Sequence, residues 1–362
     1  MRVEKQALVK AVNRVATAAR HTAHDSPLMG EIKDDKLWMW YPNFDVSVWL
    51  SIPIENGDGN PLTFSVPLEM IVKILNSFST EMVSLTTDSA GELIIKAGKN
   101  RVKIPKYEGF FDRIDPIPDG ILVATINDFS PLSSSLEDAL KFVAKTEEKP
   151  SLSCVNLSFH SGLIDITASD SFHAYGHSIP VSGMWSGDFL LPIRSVETLI
   201  KVLPKANIAL YQTSNGYSLF RHQENLAVWI APFNGSYPDI LSLMKDGGQS
   251  MLRCSRTTLG DALKIGAILS ANNVLKLEQR DDSVYVSFPR NVTDSDVYLD
   301  GAIVEGALEP THLSIPFLSH CLESVKGDEL FLRRMKMGAI RITGPTPTPF
   351  TMLQIIKYSS TD

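Results

Sequence analysis

TFSVPLEMIVKIL (residues 63–75) is an apolar run with a proline near its centre and a helical pattern after it. The arrangement returns as DFLLPIRSVETLIKVL (188–203) and again as HLSIPFLSHCLESV (312–325). Pro67, Pro192 and Pro316 lie 125 and 124 residues apart. A spacing that regular marks a repeated structural unit, and other features keep step with it. A helical segment precedes each proline stretch: VEKQALVKAVNRVATAA (3–19), PLSSSLEDALKFVAK (131–145) and SRTTLGDALKIGAILS (255–270). Leu8, Leu132 and Leu259 within them are 124 and 127 residues apart. After each proline helix a glycine turn opens an alternating strand, in GELIIKA (91–97), NGYSLFRH (215–222) and MGAIRITG (337–344). Gly91, Gly216 and Gly338 are 125 and 122 residues apart. The first two units also close alike, with RVKIPKYEGFFDRI (101–114) against VWIAPFNGSYPDIL (228–241). Three units are therefore expected, over 1–122, 123–246 and 247–362, the second boundary falling near the turn-rich DGGQS.

Inside one unit the order reads helix, strands, helix, strands. The strands rest on period-two alternation with β-branched residues, as in DVSVWLSI (45–52) and VNLSFHSGLIDITAS (155–169), bounded by Gly, Asn and Asp turns. No βαβ rhythm and no glycine-rich dinucleotide turn appears. The expectation is an α+β unit, helices on one face of antiparallel sheet, repeated three times.

Bulk properties set the class. The 362 residues suffice for two or three domains with proper cores. Hydrophobic content of 44% and charged content of 21% are those of a globular protein. Cys154, Cys254 and Cys321 are sparse, odd in number and form no C-x-x-C pair, which suits a reducing cytoplasm. The N-terminal MRVEKQALVKAV has no apolar core of a signal peptide, and no run of about 18 apolar residues could span a membrane. The sequons at Asn156, Asn234 and Asn291 then read as ordinary loop or strand asparagines.

The net charge of −7 argues against a polyanionic partner until its distribution is considered. On a helical wheel Leu8, Ala11, Val12, Val15 and Ala19 share one face, and Lys10, Arg14 and Thr17 share the other. Over six expected helical segments (2–20, 67–78, 132–145, 192–205, 253–270 and 316–327) the net charges are +4, 0, 0, +2, +2 and 0. The rest of the chain then carries −15. Helices lining one surface would make it basic inside an acidic exterior, the pattern of a surface that faces a polyanion.

Catalytic chemistry is thinly represented. Asp170, His173 and His177 are the best candidates for a metal or acid–base site, but they read as strand and turn. Positions four apart on a strand stand ~13 Å apart, too far for one metal. No G-x-x-x-x-G-K-S/T phosphate loop and no G-x-S-x-G elbow occurs, Gly98-Lys99 lacking the first glycine. Trp38, Trp40, Trp49, Trp185 and Trp229 fall mostly in alternating segments and read as sheet packing.

A thrice-repeated α+β unit with two helices and basic helical faces resembles the bacterial-type DNA sliding clamp, the β subunit of replicative DNA polymerase. Two local matches carry the resemblance further. The family's A-T-D-x-H-R-L appears as Ala168-Ser169-Asp170-Ser171-Phe172-His173-Ala174, and its F-P-D as Tyr237-Pro238-Asp239. The match is divergent: Arg-Leu has become His173-Ala174, the terminal Met-Pro is absent with Gln354-Ile355 nearest to it, and the chain continues to Asp362. Such divergence would suit a phage-encoded or otherwise specialised clamp.

The resemblance implies a closed, ring-forming fold and a processivity factor without enzymatic activity or cofactor. It implies a head-to-tail homodimer that encircles double-stranded DNA, slides without sequence specificity, and works in the cytoplasm with a DNA polymerase and a clamp loader. Basic residues expected to face DNA are Lys10, Arg14, Arg20, Lys73, Arg194, Lys201, Lys205, Arg253 and Lys264, with Arg20-His-Thr matching the family's Arg-Pro-Thr turn. A pocket for partner peptides is expected from Leu152, Ser169, Phe172, His173, Ala174, Pro238, Leu243, Met352, Leu353 and Gln354. Two other classes remain open on the sequence: a hydrolase or metal enzyme using Asp170, His173 and His177, and a protein-binding repeat scaffold without DNA.

Overall fold

The repeated prolines sit where strand gives way to helix. In the computed structural model Pro67 and Pro192 end strands and stand at helix N-caps, with φ/ψ of −58°/121° and −57°/150°. Pro316 lies in the first turn of its helix. A ring that fixes φ near −65° fits both the strand end and the helix start, and its missing N–H is not needed in the first turn. The structure describes residues 1–19, 27–43, 45–55, 62–109, 120–146, 148–245, 248–289, 295–306 and 308–356, without the side chains of 243–245. Arg20 and the last residues of the chain lie outside the described residues.

Two compact units are formed. Unit 1 comprises Met1–Ser133, His160–Gly162 and Val181–Phe233. Its eight-stranded antiparallel sheet runs β5 (Thr63–Pro67), β2 (Pro27–Lys33), β3 (Lys36–Tyr41), β4 (Val46–Pro53), β16 (Leu226–Ile230), β15 (Ser218–His222), β14 (Ile208–Thr213), β9 (Gly120–Ile126). A four-stranded sheet runs β1 (Arg2–Glu4), β6 (Met82–Thr87), β7 (Leu93–Ala97), β8 (Asn100–Ile104). The helix α1 (Lys5–Ala19) packs on β3 and β4 and against α2 (Leu68–Ser77) and α4 (Ile193–Val202), which follows β13 (Gly187–Pro192). It buries Leu8, Ala11, Val12, Val15 and Ala18, the wheel face expected with Ala18 in place of Ala19.

The opposite face of the large sheet carries an aromatic layer. Trp40 and Trp49 face each other across β3 and β4, their rings 4.4 Å apart and within 6° of parallel. Trp229, Leu219 and Ala227 complete the cluster, with Met29, Trp38, Tyr211 and Tyr217 packed against it. A layer on both faces explains why β4 is buried along all but its last residue.

Unit 2 comprises Ser134–Phe159, Leu163–Pro180 and Asn234–Asp362. Its large sheet runs β10 (Cys154–His160), β11 (Leu163–Ser169), β12 (His173–Pro180), β25 (Phe350–Gln354), β24 (Ala339–Thr343), β23 (Glu329–Arg334), β17 (Gln249–Ser255), β21 (Ile303–Val304). A smaller sheet runs β20 (Asp296–Tyr298), β19 (Ser283–Ser287), β18 (Val274–Arg280), β22 (Thr311–Ser314). Its helices are α5 (Ile240–Lys245), α6 (Arg256–Leu269) and α7 (Ile315–Ser324). The large sheet of each unit draws strands from two of the expected segments, β4 meeting β16 and β12 meeting β25.

The helix expected over 131–145 is α3 (Phe129–Ala139), which begins earlier and stops sooner. Beyond it Phe142, Val143 and Ala144 turn inward and are buried, and the Ala144 N–H donates to the Leu152 carbonyl at 2.8 Å. Continued helix would have carried part of that apolar set into solvent. Tighter bounds also reduce the basic surplus of the helices. Arg2 and Arg253 belong to strands, and Lys141, Lys145, Lys205 and Lys326 lie beyond the helix ends. The seven described helices hold nine Lys and Arg against six Asp and Glu, a surplus of +3 where the wider segments gave +8.

The glycine markers of the repeat adopt one conformation. Gly91, Gly216 and Gly338 have φ of +79°, +80° and +78°. Each donates its N–H to the carbonyl three residues before it, at 3.0, 2.9 and 3.1 Å. At Gly216 an added Cβ would meet only Pro232 at an ordinary 3.7 Å, so the requirement is the left-handed backbone and not space. Gly216→Ala is expected to lower stability by about 1 kcal/mol. It should shift the urea midpoint at unchanged slope.

Candidate functional site

The hairpin between β11 and β12 is tied by its own polar side chains. Asp170 Oδ1 accepts the N–H groups of Phe172 and His173, both at 2.8 Å. Ser169 Oγ accepts the N–H of Ser171 at 3.1 Å and donates to the His173 carbonyl at 3.0 Å, while Ser171 holds φ at +82°. Burial pushes the Asp170 carboxyl up, but hydrogen bonds from the His173 ring and backbone outweigh it and hold the group below its ordinary value.

From this turn β12 runs antiparallel to β25, with His173 opposite Leu353 and Ala174 opposite Met352. Alternation sends Ala174 and Met352 to one face of the sheet and His173, Tyr175 and His177 to the other. On the first face Ala174, Ile240, Met335, Ala339, Phe350 and Met352 form one apolar cluster, with Tyr237 against it. Gly176 makes room for it, since a Cβ there would fall 1.8 Å from the Phe350 ring.

Against this cluster lies a cavity of about 150 Å³. Of the residues expected there, Ser169, Phe172, His173, Ala174, Met352, Leu353 and Gln354 line it. Leu152 is instead buried in the 3₁₀ turn Pro150–Ser153, Pro238 is exposed and not in the lining, and the Leu243 side chain lies outside the described residues. Four lining residues went unforeseen: Ser171, Ile240, Met337 and Ala339. Ile240 is delivered by the Tyr237-Pro238-Asp239 motif, in which Asp239 Oδ1 accepts the Ser242 N–H at 2.8 Å at the start of α5. Phe172 and Met337, 57% and 55% exposed, form the lip.

On the other face the His173 ring is stacked on Phe317 at 4.3 Å and tilted against Phe142 at 4.5 Å. Its Nδ1 lies 2.9 Å from Asp170 Oδ1 and its Nε2 3.3 Å from His320 Nδ1. His177 turns elsewhere, its Nδ1 2.6 Å from Ser135 Oγ. Asp170 and His173 therefore meet while His177 does not join them. Among the described residues no group of three or more His, Cys, Asp or Glu is placed to hold a metal ion. The metal-enzyme alternative loses its site.

The basic residues expected on one surface differ in their surroundings. Lys10, Arg194 and Lys201 are exposed on their helices. Lys73 is 3.2 Å from Glu69 and Lys264 2.8 Å from Asp261, each on its own helix. Arg14 is half-buried and its Nε donates to the Val202 carbonyl at 2.6 Å, fastening α1 to the end of α4. Lys205 bonds Ser133. Arg253 is a strand residue of β17, 3.4 Å from Glu329.

No protein-family profile and no curated protein sequence matches the chain. Solved structures do. The DNA polymerase III subunit beta of Pseudomonas aeruginosa superposes with a TM-score of 0.87 at 14% identity, over 99% of this chain and 100% of that one. The DNA polymerase sliding clamp of Bacillus subtilis gives 0.84 at 18%, and the DNA polymerase III beta subunit of Thermotoga maritima 0.83 at 16%, each over 99% of both chains. The glycine turns of one geometry and the sheets completed across distant segments thus belong to a known architecture: the chain has the fold of the bacterial sliding clamps over 99% of its length.

Proposed function

We propose that the protein is a DNA polymerase processivity factor: a closed homodimeric ring that encircles duplex DNA, slides without sequence preference and tethers a polymerase. The observation that carries this reading is the match of fold over 99% of the chain to clamps that are themselves covered to 99–100%. Such a factor acts by topology and needs no nucleophile or cofactor. A clamp loader that opens the ring and a cytoplasmic place of work follow from the same reading. So does the division of the chain into clamp units 1–122, 123–246 and 247–362.

Ring closure has candidate surfaces in the chain. Among the described residues β8 ends its sheet, carrying Arg101 and a Lys103 paired with Asp88 and Glu92, and β20 ends another, beside exposed Asp300 and an Asp296 paired with Arg280. One edge lies in each unit, so a basic edge of one copy can meet an acidic edge of the next, head to tail. In unit 2, α6 exposes Ile265, Ile268 and Leu269, an i, i+3, i+4 stripe with Ile268 83% exposed. An exposed stripe of this kind is a surface awaiting a partner. The lysines and arginines Lys10, Arg194 and Lys201 then supply weak phosphate contacts, all phosphates being alike to a sliding ring. Lys73, Lys205, Arg253 and Lys264 join them at the cost of their present partners, and Arg14 acts chiefly as a structural tie.

Light scattering tests the assembly. A particle of twice 39.9 kDa is expected, and Ile268→Asp should dissociate it by about tenfold or more, since burying an Ile is worth ~1.5–3 kcal/mol. A monomer at all concentrations would remove the ring. The apolar cavity at Ala174 and Met352 is the place for a partner's short apolar peptide.

A further inference from the structure

Asp170 does two things at once in this fold. Its carboxylate pins the turn that ends in the exposed lip residue Phe172, and it touches the buried ring of His173. Phe172 is stacked in turn on Phe317 at 6.2 Å, and Phe317 on His173 at 4.3 Å. The lip of the cavity and the imidazole pair on the far face of the sheet are thus parts of one column of rings. The Nε2 of His173 and the Nδ1 of His320 face each other at 3.3 Å, and the tautomers decide which of them carries the hydrogen. The two facing nitrogens can share one proton. They cannot hold two, because two N–H groups would then point at each other.

We propose that Asp170, Phe317 and His320 are positioning residues of the docking cavity, and that proton uptake by His320, whose Nδ1 faces the His173 ring, weakens docking of an apolar peptide. The inference rests on the docking reading above and names its regulation. Other groups around the pair do not replace the switch. Glu323 on α7 favours the charged form of His320, while Lys141 and Lys145 beyond α3 oppose it. Asp138 and Lys326 act on His177, which belongs to a separate contact. Burial, followed by the neighbouring His173, holds His320 below its ordinary value. A histidine so depressed favours the present arrangement above the free imidazole value of about 6.5, and that support is lost as pH falls below it.

The test is calorimetry at about pH 7.5 and about pH 5.5, on either side of the free imidazole value. The probe is the synthetic peptide acetyl-Ser-Leu-Ser-Leu-Phe, chosen for its three apolar anchors. Wild type should lose on the order of tenfold in affinity at the lower pH, the effect of a one-unit shift at one site. His320→Gln cannot titrate, and should flatten the ratio between the two pH values, whatever its absolute affinity. His177→Gln should leave the ratio as in wild type. An equal ratio in wild type and His320→Gln, or its loss in His177→Gln, overturns the proposal. Ala174→Arg keeps the two ideas apart, because it fills the cavity without touching the imidazoles. If that variant binds as wild type does, or wild type fails to bind at either pH, the docking reading fails. The switch is then decided by 4-fluorophenylalanine at position 172. Its fluorine resonance must follow the His320 titration in the wild-type background and lose that dependence in His320→Gln; a resonance indifferent to pH overturns the inference.

Discussion

Once loaded on closed circular duplex DNA, the protein should remain there through gel filtration at moderate salt, and it should be lost when the same DNA is cut once. The contrast follows from topology. A ring around DNA leaves only by opening or by running off an end, whereas a protein that grips phosphates leaves circular and linear DNA alike. Direct phosphate binding would also collapse with salt, by about 10³–10⁵ between 50 and 200 mM for six to ten contacts. This chain is poorly equipped for such a grip. Its net charge is −7, and the helices of the described residues carry a surplus of only +3. Retention on circles must then come from closure, and Ile268→Asp, which attacks the proposed closure surface and no phosphate contact, should abolish it. Equal retention on cut and uncut DNA would exclude the ring.

Ala174→Arg should cost a partner peptide at least about tenfold in affinity. The cavity holds about 150 Å³ and Ala174 faces Met352 on its wall, so a guanidinium chain at that position occupies the space meant for an anchor. Each buried Leu or Phe anchor contributes roughly 1.5–3 kcal/mol, and losing one is enough for the effect. Because Ala174 is itself buried, circular dichroism should accompany the measurement. Met337→Ala at the exposed lip offers a variant that leaves the core alone, with a smaller loss expected. Dimerisation should be untouched in both, since neither residue lies on β8, β20 or α6. Wild-type affinity of both variants for the polymerase would place docking elsewhere.

The repeat was legible because it rests on local chemistry. A proline where strand gives way to helix and a glycine at positive φ both answer to backbone sterics, and the prolines stand as markers 125 and 124 residues apart. Seven lining residues of the cavity were legible for a related reason: they belong to the hairpin motif and to the last strand. Ile240, Met337 and Ala339 were not: Ile240 arrives on a helix of six residues, and Met337 and Ala339 come with β24, which reaches the hairpin only because its neighbour β25 pairs with the distant β12. Charge was the least legible property. A count over generous segments included Arg253, a strand residue, and Arg14, whose guanidinium is committed to the Val202 carbonyl. Composition tells how many cations there are, and only packing tells which are already engaged.

The aromatic layer on unit 1 has a spectroscopic consequence. Trp38, Trp40, Trp49, Trp185 and Trp229 are the chain's five tryptophans, and every one belongs to unit 1. Indole emission therefore reports the unfolding of that unit alone, and tyrosine and backbone signals report both. The near-parallel Trp40 and Trp49 rings, 4.4 Å apart, add a coupled pair of transitions in the far ultraviolet that vanishes when β3 and β4 separate. In a urea titration, indole emission and peptide ellipticity that fall together mean one cooperative molecule. Curves that part company mean two, with the emission midpoint naming the stability of the first and the residual ellipticity that of the second.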